Sequence, residues 1–176
     1  VDGLEKIMGE GDDNFWSLGT EGSPGGPTVE FYVDGVEVWN LVFNQFKLKN
    51  GKWTDLSQKG VDTGMGLERI AAVMQGKDDV YETDIFEPLI VGLEKKLSLS
   101  WSKDKKNLRL LADHSRSSQR LINEEVVPGN KGRGYVLRRL LRRILLYSPE
   151  IVRHIKDETA LVELEKFQKT LKKGKK

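Results

Sequence analysis

The sequence predicts an α+β fold in which an antiparallel β-sheet is followed by an all-helical part. Two observations carry this prediction. Apolar and polar residues alternate in the first part around two strong hairpin signals, Asp34-Gly35 and Asn50-Gly51. From Gly64 onward the apolar residues recur with a period of about 3.6, which is that of a helix. We therefore expect two domains, residues 1–76 and residues 77–176.

The β-rich part is predicted to be a meander. Residues 1–27 are rich in glycine and proline, so we expect a loop with one aromatic anchor, Trp16. Strands are predicted over 29–33, 36–46 and 52–56. Two hairpins are not stable alone, so their apolar face must be covered by other strands or by the helix that starts near Gly64.

Five helices are predicted after the strands. The first carries the apolar stripe Leu67, Ile70, Ala71 and Met74 and ends at Gly76. The second is expected to start at Thr83 or Asp84 and to run to residue 97, and the others are predicted over 107–123, 134–147 and 150–171.

Composition excludes several classes of site. The chain has no cysteine and only two histidines, so disulfides and thiolate metal sites are excluded and no zinc is expected. No apolar run approaches the roughly 20 residues needed to span a bilayer, so we expect no membrane span. The chain starts at Val1 without methionine, which suggests a piece of a longer protein.

Charge is unevenly distributed although the net charge is only +2. Residues 1–40 carry many acids against Lys6 alone, whereas residues 131–143 carry only basic charges. This asymmetry suggests a cationic or small-molecule ligand in the first half and a polyanion in the second. The alternative is charged, solvated surface on both halves.

The stretch 60–70 is the first candidate site. Gly60, Gly64 and Gly66 predict a sharp turn that opens a helix. Asp62 can receive an ammonium group there, and Arg69 offers a planar fork suited to phosphate or carboxylate. One small site could then hold both ends of a zwitterion or a nucleotide. The alternative is a strand-to-helix corner with solvent-facing charges. No Gly-Lys-Ser/Thr follows, so the stretch is not a P-loop.

The helix predicted over 134–147 is the second candidate site. Its apolar stripe places four arginines together on the opposite face, Arg138, Arg139, Arg142 and Arg143. Phosphate groups of a nucleic acid would offset their mutual repulsion. The alternative is pairing with acids of the last helix, such as Glu163 or Glu165.

Two shorter segments have open interpretations. In the loop that carries Asn130, Lys131 and Arg133, Asn130 could read a base edge or merely cap the next helix. His114 could be an acid or base, although such a histidine is more often simply hydrogen-bonded.

Several segments in order resemble the alanyl-tRNA synthetases, a class II aminoacyl-tRNA synthetase family. Residues 61–73 read VDTGMGLERIAAV and are similar to motif 3 of that class. Other segments that resemble the family are DDNFW at 12–16, VWNLVF at 38–43, ADHSR at 112–116 and GNKGRGYVLRR at 129–139. The resemblance extends over roughly residues 10–147.

The resemblance implies part of a class II antiparallel sheet, on the motif 3 side, that binds ATP and alanine. It implies that Asp62 holds the alanine ammonium group, that Trp16, Val42 and Gly64 shape the pocket, and that Arg69 contacts the ATP phosphates beside Gly64 and Gly66. ATP would arrive as its Mg²⁺ complex, and the enzyme would be cytoplasmic.

For the helical part, residues 77–176, the resemblance implies recognition of the acceptor stem of alanine tRNA. Asn130 would lie near the G·U pair of that stem. Positive side chains would contact its phosphates; these are Lys131, Arg133, Arg138, Arg139, Arg142 and Arg143.

Two departures from the family pattern bear on activity. The family loop usually reads Gly-Pro-Cys-Gly-Pro, whereas residues 22–27 read GSPGGP. Motifs 1 and 2 are absent, so we expect this chain alone to be catalytically crippled unless the missing N-terminal part acts as a partner. The alternative is a non-catalytic RNA-binding module derived from the same family.

Overall fold

The computed structural model describes residues 8–9 and 11–174, without the side chains of 152–154 and 174. The chain divides into two compact units between Val80 and Tyr81. The first is a four-stranded antiparallel sheet with one helix, and the second is helical. The predicted α+β class is confirmed.

The sheet unit is a meander in which the strand order follows the chain. After a 3-10 helix at Gly11–Asn14 come β1 (Phe15–Ser17), β2 (Pro24–Val33), β3 (Val36–Lys49) and β4 (Lys52–Met65). Each strand pairs antiparallel with the next, and β1 and β4 lie at the edges of this described sheet.

Both predicted hairpin turns are confirmed. Asp34 and Gly35 have φ angles of 49° and 76°, and Asn50 and Gly51 have φ angles of 51° and 71°. Two consecutive positive φ angles define the type I′ turn, whose twist matches that of the flanking strands. The two turns fix where β2, β3 and β4 begin and end.

The loop predicted over residues 1–27 is wrong for much of its length; residues 1–7 and 10 lie outside the described part. Residues 15–17 form β1, and β2 begins at Pro24. The glycines permit the strand here because the backbones approach closely. A Cβ at Gly26 would lie 1.8 Å from the carbonyl oxygen of Phe43, and one at Gly25 would lie 2.9 Å from that of Trp16.

The sharp turn predicted at Gly60–Gly66 is also wrong for its first two glycines. Gly60 and Gly64 lie inside the 14-residue strand β4, opposite Asn44 and Asn40 of β3. Pairing along the equally long β3 keeps this segment extended. Only Gly66 stands at the change of structure, as the residue before the first helix.

The first helix, α1 (Leu67–Met74), ends as predicted near Gly76, which has a φ of 60°. Its predicted apolar stripe is only partly buried, because Leu67 and Met74 are exposed. With eight residues α1 is about 12 Å long, whereas a 14-residue strand spans about 46 Å. The helix is therefore too short to cover the sheet, and Val61 remains exposed.

A 3-10 turn at Val80–Glu82 spans the division, and the helical unit contains α2 (Glu87–Leu97), α3 (Trp101–Asn123), α4 (Gly132–Tyr147) and α5 (Glu158–Gly174). A 3-10 helix at Pro149–His154 precedes α5. Two buried apolar clusters hold these helices together. One joins α2, α3 and Ile144 of α4, and the other joins α4 to Ala160 and Leu164 of α5. No described helix has the length and apolarity that a membrane span requires.

Two predicted helix starts are wrong. The Thr83 carbonyl accepts from the amides of Phe86 and Glu87 in a turn, and α2 begins after this turn, at Glu87. α3 begins at Trp101 with a single turn in which the Asp104 carboxylate accepts from the amide of Ser100 at 3.0 Å; Asp104 has non-helical angles (φ −114°, ψ 22°), so the regular helix begins just after it, close to the predicted residue 107. α5 starts late because Asp157 caps it, accepting from the amide of Ala160 at 2.8 Å.

Candidate functional site

Three neighbouring strands present a polar face around Val42. Val42 of β3 lies directly opposite Thr28 of β2 and Asp62 of β4. Directly opposite residues of antiparallel strands point to the same side, as do residues two apart on one strand. Asn40 and Asn44 therefore share this side with Val42. We call these five residues the polar face.

Glycines keep the polar face open around Asp62. Gly60 and Gly64 precede and follow Asp62 by two residues on β4, so both lie on the same side of the sheet. A Cβ added at either glycine would meet nothing within 4 Å. The exposed Asp62 carboxylate thus stands between two positions without side chains. Because Gly60 and Gly64 have no side chains, they leave this side of β4 open around Asp62, and they do not bend the chain. We call this open surface the cleared floor.

A concavity of about 170 Å³ lies on this floor. Its lining consists of Trp16, Val42, Asp62, Thr63 and Gly64. The structure therefore brings together the four residues that the sequence analysis proposed for alanine. Thr63 is an addition; its hydroxyl accepts from the indole Nε1 of Trp39, and its amide donates to Asp62 Oδ1 at 3.1 Å.

Three buried oxygens on the polar face have no hydrogen-bond partner among the described residues: Thr28 Oγ1, Asn40 Oδ1 and Asn44 Oδ1. Buried polar atoms in folded proteins are nearly always hydrogen-bonded, so such oxygens indicate a place for a ligand or water. Sequence reasoning assigned no role to these residues. The available signal was two asparagines, two residues on either side of Val42, in a segment (38–46) whose other residues except Gln45 are apolar.

Arg69 lies outside the lining of this concavity. Its Nη1 donates to the Glu37 carbonyl at 2.9 Å and pairs with the Glu37 carboxylate at 3.0 Å, and its side chain is half exposed. A Cβ at Gly66 would meet the Arg69 side chain at 3.2 Å. The predicted pairing of Asp62 with Arg69 in one small pocket is therefore not seen, and Glu37 is a partner that the sequence analysis missed.

The four arginines of α4 do not form one face, contrary to the prediction. Arg138 and Arg142 are partly buried and turn toward Glu163 of α5, whose side chain is only 6% exposed. Arg142 Nη2 lies 2.7 Å from Glu163 Oε1, and Arg138 Nε lies 3.4 Å from Oε2. Arg142 also covers the ring of Phe167 at 4.8 Å. These two arginines join α4 to α5.

Arg139 and Arg143 lie on the exposed face of α4. Within the described residues neither forms an ion pair, and the Arg139 guanidinium lies 5.8 Å from the centre of the Tyr135 ring. Val136 and Leu146 are half exposed on the same side. We call Tyr135, Val136, Arg139, Arg143 and Leu146 the open face of α4.

The loop before α4 has its own contacts. Asn130 Oδ1 accepts from Arg138, and the cap position of α4 is Lys131, so the capping role considered for Asn130 is not seen. Arg133 pairs with Glu124 at 3.0 Å, and Lys131 is exposed. His114 Nδ1 is hydrogen-bonded to Asp113 at 2.9 Å, as in the simpler interpretation.

The described residues hold no group of three or more His, Cys, Asp and Glu side chains placed to bind a metal ion.

Comparison with known proteins settles the family. Residues 33–156 match the model of tRNA synthetases class II (A). The chain is 41% identical to the alanine–tRNA ligase of Corynebacterium efficiens over an alignment of 160 residues; the alignment covers 76% of this chain and 18% of that protein. It is also 41% identical to the enzyme of Mycobacterium sp. (strain KMS) over 171 residues, covering 81% of this chain and 19% of the relative.

The chain belongs to the alanine–tRNA ligase family. A third member, from Desulfosudis oleivorans, is 40% identical over 163 residues, 79% of this chain and 18% of the relative. The chain thus spans about a fifth of the length of these alanine–tRNA ligases.

Proposed function

We propose that this chain takes part in the ATP-dependent attachment of alanine to its tRNA. Residues 1–76 would form part of the adenylation site, on the motif 3 side, and residues 77–176 would contact the acceptor stem. The observation that carries the proposal is the concavity lined by Trp16, Val42, Asp62 and Gly64. Its ligase relatives and its role in protein synthesis support a cytoplasmic location.

The concavity suits a small amino acid. The Asp62 carboxylate is exposed on the cleared floor and would bind the ammonium group by charge-assisted hydrogen bonds. Val42 and the Trp16 ring offer apolar surface to a methyl group.

The chemistry itself needs no nucleophile from this chain. The alanine carboxylate attacks the α-phosphate of ATP, a P–O bond forms, and pyrophosphate leaves; a hydroxyl of the tRNA 3′ end then attacks the adenylate and releases AMP. Residues of this chain would bind and orient the reactants. Arg69 would exchange its pairing with Glu37 for the phosphates of ATP, which arrives as its Mg²⁺ complex, beside Gly64 and Gly66.

The acceptor stem would contact the α4 region. We assign phosphate contacts to Arg139 and Arg143 of the open face and to Lys131 at its start. Arg133 lies in the first turn of α4 and would exchange its pairing with Glu124 for a phosphate of the stem. Arg138 would hold Asn130 in place beside the stem. Arg142 would support this contact surface by holding α4 against α5 through its ion pair with Glu163.

Asp62→Asn tests the adenylation proposal in the full-length protein. The substitution removes the charge and preserves the shape, so we expect alanine-dependent ATP/pyrophosphate exchange to fall at least tenfold in kcat/KM. Asp55→Asn, on the same strand but outside the concavity, is the matched control and should leave exchange unchanged. Equal exchange by both variants would contradict the assignment of Asp62. Minihelix binding without any exchange in the unsubstituted protein would favour the non-catalytic RNA-binding alternative.

A further inference from the structure

We propose that the sheet unit has a second binding site, for an organic cation such as an alkylammonium group, on the side of the sheet opposite Asp62. Its place in the fold is a cavity of about 530 Å³. The residues that line this cavity are Gly11, Asp12, Asn14, Phe15, Pro27 and Trp53. None of them lines the concavity assigned to alanine, so the proposal does not rest on the proposed function.

The strand β1 separates the cavity from the concavity. Successive side chains of a strand point to opposite sides of its sheet. Phe15 and Trp16 are successive residues of β1; Phe15 lines the cavity, whereas Trp16 lines the concavity. A ligand in the cavity would therefore not compete directly with one beside Asp62. The volume of the cavity is within the usual range for small-molecule sites.

Two aromatic rings in the lining are held in place by the sheet. The ring centres of Phe15 and Trp53 lie 5.2 Å apart, and Phe15 also stacks on Phe46 at 6.3 Å. Gly25 permits the close approach of the indole, because a Cβ there would lie 2.9 Å from Trp53 Cη2. Trp53 is still 40% exposed. Aromatic rings attract cations within about 6 Å of their centre, and tryptophan does so most strongly.

The charge of the lining determines the charge of the ligand. Asp12 is exposed in the 3-10 helix Gly11–Asn14 and is the one charged residue of the lining. Its side chain has no hydrogen bond or ion pair within the described part of the chain. The carboxylate would repel an anion, and a neutral apolar ligand would remove it from water without giving it a partner, which is costly. An organic cation satisfies both the carboxylate and the rings.

Choline and its uncharged isostere neohexyl alcohol, in which carbon replaces the ammonium nitrogen, test the proposal in the 176-residue chain. The indole N–H signal of Trp53 in the NMR spectrum reports binding, and its loss in Trp53→Phe identifies it. Choline should shift this signal saturably, with a dissociation constant in the millimolar range. The alcohol should bind at least about fivefold more weakly, because it has the same shape without the charge. The indole signal of Trp16 should not move.

Asp12→Asn preserves the size of the side chain and removes its charge. Choline should bind this variant about fivefold more weakly, whereas the alcohol should bind it as well as it binds the unsubstituted chain. Asp13→Asn is the matched control, because Asp13 lies in the same 3-10 helix but outside the lining; its affinity for choline should stay within about twofold. Both positions are exposed, so neither substitution should disturb the fold.

The absence of a saturable shift with choline would overturn the proposal, as would equal affinities for choline and the alcohol. Equal weakening by Asp12→Asn and Asp13→Asn would also overturn it, since that result would reflect net charge alone. Butylammonium and a capped Gly-Lys-Gly peptide present the same group and distinguish its source. Tighter binding of the peptide would indicate a lysine of a polypeptide, and equal or tighter binding of butylammonium would indicate a free compound.

Discussion

At the scale of single residues, glycines of the sheet unit have two opposite roles. Gly26 is required by the fold, because the carbonyl oxygen of Phe43 occupies the space in which a Cβ would lie. Gly60 and Gly64 are surrounded by empty space and are free of steric demands from the described protein. Their φ angles are not positive either. The same residue type thus permits close backbone packing at one position and leaves open space at the others.

Gly26→Ala is expected to lower the free energy of unfolding by about 3 kcal/mol or more, because a backbone atom cannot move away as a side chain can. Gly60→Ala is the matched control, since its Cβ meets nothing within 4 Å, and should change stability by less than about 1 kcal/mol. Urea denaturation of both variants measures the difference. Equal stabilities would show that β2 and β3 can separate at Gly26 without cost.

Sequence reasoning proposed Asp62 for an ammonium group from the residues themselves, whereas its grouping with Trp16, Val42 and Gly64 in one pocket came from the resemblance to a family. Their convergence depends on strand register: the Asn50-Gly51 turn alone would place Val42 opposite Lys59, and the register shift between Phe46 and Asn44 places it opposite Asp62. The turn itself was predictable from two residues. The irregular pairing between Phe46 and Asn44 was not, because β4 has four residues there, 56–59, against Gln45 alone on β3, and no local pattern indicates this.

At the scale of elements, α4 shows why a sequence stripe does not assign a surface. The apolar stripe was correct in that Leu137, Leu141, Ile144 and Leu145 are buried. The remaining positions span more than half of the helix circumference, so i,i+1 arginine pairs diverge by about 100°. Arg138 and Arg142 reach α5, whereas Arg139 and Arg143 face outward. Only the position of α5 decides which pair remains available to a polyanion.

Arg143→Ala should therefore affect RNA binding, whereas Arg142→Ala should affect the stability of the fold. Arg143→Ala is expected to reduce minihelix affinity and the salt dependence of binding by about one phosphate contact, without a change in melting temperature. Arg142→Ala removes a partner of the buried Glu163 carboxylate and should lower the free energy of unfolding by about 1–3 kcal/mol. Binding at several salt concentrations and urea denaturation test both. An unchanged salt slope in Arg143→Ala would contradict the role of the open face.

At the scale of the whole molecule, the two units differ greatly in what they bury. Among the described residues, all but two of the buried apolar side chains belong to the helical unit; the exceptions are Val38 and Ala72. In the sheet unit every residue of β4 except Leu56 is exposed. The apolar side of the sheet is also open, as shown by Val61 at 63% and Met65 at 52% exposure. Burial of apolar surface drives folding, so the helical unit has most of the stabilising contacts.

The units made as separate polypeptides should behave accordingly. Residues 81–176 are expected to unfold in one cooperative thermal transition, because two apolar clusters link their helices. Residues 1–80 are expected to show no such transition or to self-associate through the exposed strand β4. Circular dichroism during heating and analytical ultracentrifugation distinguish these outcomes. A monomeric, cooperatively melting 1–80 polypeptide would contradict this interpretation of the burial pattern.

The overall class was predictable because the change of apolar period and the two turn signals are local. The loop predicted over residues 1–27 failed for the opposite reason: glycine and proline lower strand propensity in general, but Gly25 and Gly26 are the residues that fit between strands already in close contact. The late start of α5 likewise follows from a single capping residue, Asp157, which competes with an earlier start that its apolar periodicity also allows.

The cleared floor beside Asp62 has a consequence for how this sequence can vary. Every substitution of Gly64 adds atoms to a position that the protein itself leaves empty, so the fold does not oppose the change. Those atoms would enter the lining of the concavity. Under the proposed function, natural variation at Gly64 would be limited by what binds in the concavity, whereas variation at Gly26 would be limited by the close approach of Phe43. We therefore expect different patterns of substitution at Gly64 and at Gly26 among members of the family.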